Sequence, residues 1–199
     1  MLAGETQAWD ILAGLSPEDV CTRAQVTFDG SSRRYTLRSF RQDIFVSPEE
    51  RGIAGCSPVA DLLLNKLGHF SRLPILWYLI NAKDIPLSGE LRRPSDLSGG
   101  QIYLQGSHVL PLDGIAQRYG SDISGFLSRG RELGGESLSY GDASIRLFPF
   151  PRVPVTVVLW KGDDEFASRC TLLLDSTCEV HLPADVLWET TMLSVLVML

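Results

Sequence analysis

Three consecutive carboxylates, Asp163, Asp164 and Glu165, follow the apolar run that ends at Trp160, in the stretch LWKGDDEF. Clustered carboxylates suit two chemistries: capture of a divalent cation through hard oxygen ligands, and general acid–base catalysis. A cation site needs about six oxygens, so Asp164 and Glu165 would require further ligands that the sequence does not place near them. The same stretch also reads as a hairpin turn. Glycine accepts positive φ and aspartate hydrogen-bonds the backbone just ahead of it, which makes Gly162 and Asp163 turn residues. Adjacent Asp163 and Asp164 then point to different sides, and Phe166 is expected to return an aromatic ring to the core.

His69, His108 and His181 are each isolated in the sequence. His181 has Asp175, Glu179 and Asp185 within six residues. A carboxylate beside an imidazole orients it and raises its pKa, the arrangement a general base requires. The alternative is a surface histidine at a strand end. A hydrolase or transferase using Asp164 and Glu165 with His181, or with a divalent metal, is one function class these residues allow. Arg33, Arg34, Arg38 and Arg41 fall on a predicted hairpin. Guanidinium forks there could receive an acidic ligand or partner; a solvated strand face that discourages edge pairing accounts for the same residues.

The missing signatures narrow the field. There is no G-x-S-x-G, no phosphate-binding G-x-x-x-x-G-K-[ST], no H-E-x-x-H and no dinucleotide fingerprint. Cys21, Cys56, Cys170 and Cys178 include no C-x-x-C pair, so neither a zinc site nor an iron–sulfur cluster is expected. Cys170 and Cys178 could pair across a hairpin; four buried free thiols are the competing expectation. No metal site and no particular cofactor is indicated. Gly99-Gly100 and Gly134-Gly135 read as turn glycines.

The 199 residues suit one domain, with a helical and hairpin part over about 1–57 and the remainder over 58–199. A composition 44% hydrophobic and 21% charged is that of a globular protein, and a net charge of −6 argues against nucleic-acid binding. The start of the chain lacks a basic segment followed by an apolar one, and TTMLSVLVML is too short to span a bilayer. A cytoplasmic protein is expected. If the C-terminal MLSVLVML is exposed, it offers a homodimer face.

Periodicity places the elements. Ala8, Trp9, Leu12 and Leu15 share one face of a helix over 5–15. Ser16, Pro17, Glu18 and Asp19 restart a helix that ends near Gln25. Strands are predicted at 26–28, 33–37 and 43–46, with Tyr35 and Leu37 opposite Arg34 and Arg38. Residues 59–64 are too short an apolar run to assign, and 71–81 reads as a buried helix with Pro74 in its first turn. A short strand is predicted at 90–93, and a loop leading to another within SDLSGGQIYLQGSH. Helices follow at 111–119 and 122–133, with Gly120-Ser121 as stop and cap. Strands are predicted at 144–148, 153–160 and 169–175, with the prolines of FPFPRVP confining that segment to a bend or an edge. Pro183 opens a last helix, whose Val186, Leu187, Met192 and Leu193 face the sheet. The fold class is α+β, a single domain with a mostly antiparallel sheet packed by helices.

The ordered set WYLINAKDIPLSG, LGG, YGD, FPFPRVPVTVVLWKGDDEF, LLLD and HLPADVL resembles a prokaryotic family known as a domain of unknown function, found mainly in anaerobic bacteria and archaea. The likeness covers most of the chain from about residue 70. Some relatives are fused to a small iron–sulfur domain of the type found in corrinoid iron–sulfur proteins. The resemblance therefore implies a non-enzymatic binding or accessory module serving corrinoid, tetrapyrrole or iron–sulfur systems, with such a protein as partner. This chain lacks the cluster cysteines. Among the motif residues, Arg152, Trp160, Asp164 and Glu165 are expected to line the mouth of a ligand pocket, with Asp163 and His181 completing the candidate set.

Overall fold

The computed structural model describes residues 3–104 and 106–199; Met1, Leu2 and Gln105 lie outside the described residues. Helix α1 (Ala3–Ala13) buries Ala8, Trp9 and Leu12, the face its spacing predicts. Helix α2 (Pro17–Ala24) follows Ser16, which holds the cap position without a side-chain capping bond, and stops at Gln25 in a left-handed conformation. Strands β1 (Thr27–Asp29), β2 (Arg34–Ser39), β3 (Gln42–Ser47) and β4 (Gly52–Gly55) then form a four-stranded antiparallel sheet in sequence order. Alternation sends Tyr35, Leu37, Ile44 and Val46 inward and leaves Arg34 and Arg38 outside.

The β2–β3 connection breaks a local rule. Its two central residues, Phe40 and Arg41, both have positive φ, 46° and 65°, between the paired Ser39 and Gln42. Two-residue hairpin turns of this hand favour asparagine and glycine, and each side chain held there costs about 1–3 kcal/mol. Phe40 is fully buried, and its N–H donates to the Phe148 carbonyl at 2.8 Å, joining this sheet to the second one.

Residues 59–64 prove helical. Ser57 caps α3 (Pro58–Asp61), which runs on into one π turn over Leu62–Lys66. Helix α4 (Arg72–Asn81) carries Pro74 in its first turn and buries Ile75, Leu76, Tyr78 and Leu79. β5 (Leu91–Arg92) is short because Pro94 cannot continue the ladder. The strand expected within SDLSGGQIYLQGSH is replaced by 3-10 turns at Pro94–Asp96, Gly100–Leu104 and Gly106–His108; Gln105 of that stretch is outside the described residues. Gly100 is packed so closely that a Cβ would come 2.5 Å from the carbonyl oxygens of Pro94 and Ser95, which folds the segment on itself.

Helices α5 (Leu112–Tyr119) and α6 (Ile123–Glu132) lead to the second sheet. Asp122, and not Ser121, caps α6: its carboxylate accepts from the Gly125 N–H at 2.8 Å. Strands β6 (Glu136–Leu138), β7 (Ala143–Phe150), β8 (Val153–Trp160) and β9 (Arg169–Asp175) join β5 in the antiparallel order β5-β9-β8-β7-β6. There are thus two antiparallel sheets where the sequence suggested one. β8 is central and buried along its length up to Trp160, so both faces of the sheet are covered. Pairing of β6 stops at Arg146 and that of β9 at Val155, so neither Pro149 nor Pro154 is asked for a missing ladder bond.

Short helix α7 (Cys178–His181) precedes α8 (Ala184–Leu196), which lies against α4 and β7. Met192, Leu193, Val195, Val197 and Met198 are buried, so most of the C-terminal apolar stretch belongs to the core of its own chain, with Leu199 exposed at its end. One continuous core links both sheets and the helices in a single α+β domain. All four cysteines are free; Cys178 is buried, Cys21 and Cys170 are half-buried, and Cys56 is exposed, against the expectation of four buried thiols.

Gly130 in α6 sits against β7, where a Cβ would meet Ile145 Cγ1 at 2.4 Å. Gly130→Ala should lower stability by about 1–3 kcal/mol through overpacking, although alanine is the better helix former by about 1 kcal/mol. Urea unfolding midpoints of the two proteins measure the difference, and an unchanged or raised midpoint would show that α6 can move off the sheet.

Candidate functional site

The six candidate residues divide between the two ends of the β8–β9 pair. Trp160 pairs with Arg169 at one end, where GDDEF makes the connection. Arg152 precedes the first residue of β8 at the other end, where Val155 pairs with Leu174 and Asp175 closes β9. Eight residue steps, about 26 Å in extended chain, separate Arg152 from Trp160. The pocket mouth that Arg152, Trp160, Asp164 and Glu165 were expected to share therefore does not form.

At the connection end, Asp163 organises the turn. Its carboxylate accepts from the N–H groups of Glu165 at 2.9 Å and Phe166 at 2.7 Å, while its own N–H donates to the Phe166 carbonyl at 2.9 Å. Those bonds, first that from Phe166, hold the Asp163 carboxyl below its ordinary pKa. Asp164 and Glu165 are exposed. Phe166 does not anchor the turn to the core: it is 71% exposed. The neighbouring β6–β7 loop is fastened to the same end, because the Lys161 N–H donates to Asp142 Oδ2 at 2.8 Å. Gly141 in that loop has φ of 61°, and a Cβ there would come 2.8 Å from the Leu159 carbonyl oxygen. The Arg169 guanidinium lies over the Trp160 ring, 4.4 Å from its centroid.

At the opposite end three buried ionisable residues converge on one exposed loop, residues 83–89. Arg152 donates from Nε to the Arg23 carbonyl at 2.7 Å and from Nη1 to the Ile85 carbonyl at 2.6 Å, and Nη2 reaches Asp84 and the Thr22 carbonyl. Asp175 accepts from the N–H groups of Ser88, Gly89 and Thr177 and from the hydroxyls of Ser88 and Thr177, at 2.7–3.1 Å. Burial pushes the Asp175 carboxyl up, but these hydrogen bonds outweigh it and the net shift is downward. His181 is fully buried, not a surface residue at a strand end, because it lies in α7 beneath the loop. Its Nδ1 accepts from the Lys83 N–H at 3.2 Å, and its Nε2 has no hydrogen-bond partner among the described residues. Burial and the adjacent Arg152 push its pKa down to about 4, against the opposing pull of Asp175. His181 is thus neutral near pH 7 and engaged in holding backbone.

His181 and the pair Asp164 and Glu165 are separated by the whole of β9, about 20 Å. Among the described residues no group of three or more His, Cys, Asp or Glu is placed to hold a metal ion, and no helix is long and apolar enough to cross a membrane. The arginine cluster is largely paired within its own sheet: Arg33 with Glu49, Arg34 with Glu50 and Arg38 with Asp43, at 2.8–3.2 Å.

A family model described as Domain of unknown function (DUF3786) matches residues 16–196. The chain belongs to that family. The DUF3786 match begins at Ser16 and so takes in the N-terminal sheet, well before the region from residue 70 that carries the motif resemblance. The shared core and the Phe40–Phe148 bond give the structural reason: the two sheets fold as one body. Neither the curated proteins nor the solved structures contain a match to the chain. Within this DUF3786 chain, the backbone-holding roles of Asp175, Asp142 and the 83–89 loop have no signature in the sequence beyond their place in LLLD, YGD and AKDIPLSG.

Two buried groups give the protein opposed pH responses. The folded His181 pKa of about 4 lies below the ordinary histidine value of about 6.5, so the unfolded chain binds more protons and His181 removes stability as pH falls from about 6.5 to 4. Glu189, half-buried and next to Asp185, is raised to about 7, chiefly by burial; it removes stability as pH rises from about 4.5 to 7. The two slopes oppose each other over the shared range. In His181→Asn, whose amide oxygen can replace Nδ1 as acceptor, urea midpoints should fall from pH 4.5 to 7. In Glu189→Gln they should rise from pH 4 to 6.5, by no more than about 3 kcal/mol. Parallel profiles in both variants would refute the assignment.

Proposed function

We propose that this protein is a non-enzymatic binding module that docks on a partner protein through the connection end of its second sheet. The observation that carries the reading is Phe166, a large apolar ring 71% exposed on a turn whose backbone Asp163 holds in place. An aromatic ring presented on a fixed backbone loses little further freedom when buried, and such residues dominate the energy of protein interfaces. Tyr140, 47% exposed on the loop that Asp142 fastens alongside, extends the apolar surface. Asp164 and Glu165 supply a negative rim. The complementary partner surface is an apolar pocket edged by arginine or lysine.

The motif resemblance suggests which partner to try first: a corrinoid or iron–sulfur protein of an anaerobic prokaryote, met in the cytoplasm, where four free cysteines stay reduced. A corrinoid or tetrapyrrole held by this chain itself is less well supported, since the residues expected around it lie at opposite ends of β8. The hydrolase or transferase reading would need Asp164, Glu165 and His181 within hydrogen-bond reach of one point, and their separation along β9 does not favour it.

Calorimetric titration of a corrinoid iron–sulfur protein into this one tests the proposal. Phe166→Ala should weaken binding at least tenfold, about 1.4 kcal/mol, with an unchanged urea midpoint because the ring is exposed. Replacing Asp164 and Glu165 by lysine should slow association and reverse its salt dependence. Binding that is indifferent to all three changes would remove this surface from consideration. Absorption titrations with cobalamin and haem separate the cofactor reading, for which spectral changes at micromolar ligand would be needed.

A further inference from the structure

We propose that the junction of the two sheets is a binding site for a small organic anion with a flat apolar body. A cavity of about 320 Å³ opens there, lined by Arg38, Arg41, Gly134, Glu136, Phe148 and Pro151. That volume lies at the lower end of small-molecule sites. It draws on both sheets and on the turn after α6, and so exists only because Phe40 ties β2–β3 to β7. It sits at the end of β7 away from the GDDEF turn and is independent of the docking surface described above.

The walls carry two kinds of chemistry. Phe148 and Pro151, both half-buried, form an apolar floor. Arg38 and Arg41 stand over it from the strained hairpin. Arg38 uses Nη1 to hold Asp43 at 2.8 Å, which fixes the side chain and leaves the rest of its five-donor fork for another acceptor. The other nearby ion pair joins Arg146 to Glu136 at 3.8 Å, and neither pair includes Arg41. Three guanidiniums thus face two carboxylates, and the excess positive charge is at the cavity.

Arg41 is the decisive residue. Its φ of 65° is one that glycine would adopt without strain, yet the position bears a guanidinium. Gly134, itself at φ of 75°, makes room for it: a Cβ on Gly134 would come 2.4 Å from Arg41 Cβ. The turn and the LGG segment are therefore fitted to each other around the base of Arg41. A planar carboxylate accepts two parallel N–H bonds from a guanidinium, and an attached ring would lie on Phe148. Glu136, on the same rim, opposes the ligand's charge.

Sodium benzoate is the probe, with benzamide as its neutral counterpart and inorganic phosphate as an anion without an apolar body. Nuclear magnetic resonance of the full chain follows backbone amides and arginine Nε–H groups. Benzoate should give saturable shifts at Arg38, Arg41, Gly134 and Phe148; benzamide should give none, and phosphate should bind at least tenfold more weakly. Arg41→Gly should weaken benzoate at least tenfold while its thermal midpoint stays equal or rises, because the backbone strain is relieved. Glu136→Gln should tighten benzoate. No saturable shift by about 10 mM benzoate, above the millimolar range of weak specific binding, would overturn the site. Equal binding by benzamide would overturn the charged half, and phosphate as tight as benzoate would overturn the apolar half. Unchanged affinity in Arg41→Gly would overturn the role of the hairpin.

Discussion

A guanidinium cannot shed its proton, so burying Arg152 obliges acceptors to come to it. Four do: carbonyls from the end of α2, the Ile85 carbonyl and the Asp84 carboxylate. Tyr78 joins from α4, accepting the Arg152 N–H and donating to the Ala24 carbonyl. Arg23 adds two more bonds from α2, to the carbonyls of Ile80 and Ala82. One buried charge thereby fixes the end of α2, the end of α4 and the start of β8 relative to each other. Removing such a charge's partners is expensive, about 3–5 kcal/mol, which gives these backbone positions little freedom. His181 is kept neutral first by its own burial, and the positive charge of Arg152 beside it adds to the effect.

From that fixed point β8 runs as a buried spacer to Trp160, and what lies beyond is insulated from the clamp. The two ends differ in character. Near Arg152, ionisable groups are buried and hold backbone, so the 83–89 loop is exposed but anchored at Lys83, Ile85, Ser88 and Gly89. Beyond Trp160 two carboxylates, Asp142 and Asp163, hold the backbone, and Phe166 is left to solvent. Buried side-chain hydrogen bonds are concentrated at one end, and the exposed Phe166 and Tyr140 rings lie at the other.

Periodicity made most of the elements legible, because α1, α4, β2 and β7 to β9 each bury one face or both at a fixed spacing. The site was harder to read, and the reason is geometric. Arg152 and Trp160 are eight positions apart in sequence, which looks like proximity; in an extended strand it is most of the sheet's width along the chain. Lys83 and His181, 98 positions apart, are in contact. Phe166 departs from its expected place for a related reason: an aromatic after a turn returns to the core only if packed elements lie beneath it, and sequence does not show what lies beneath. SDLSGGQIYLQGSH failed as a strand because close approach at Gly100, a tertiary effect, overrode its local pattern.

The positions that resist local explanation are the informative ones. Sequence preference, patterning and packing agree over most of this chain, as they must for a single folded state. Among the positions where they disagree are Phe40-Arg41, where two side chains occupy a turn built for glycine, and Phe166, where an aromatic ring is left in water; Gln25, Arg33 and Arg51 also take positive φ. Neither conflict is repaired by a contact that would make it neutral within the chain: the strain at Arg41 presents a guanidinium to a cavity, and the exposure of Phe166 presents a ring to solvent. Phe40 does gain the bond to Phe148 and full burial, which accounts for one residue of the turn but not for its neighbour. The two conflicts lie on different sheets: the Phe40-Arg41 turn belongs to the first and meets the Phe148 end of β7, and Phe166 lies at the other end of the second. The two proposed surfaces, one for an apolar pocket with a basic rim and one for a small acid, would then sit on one body joined by a continuous core.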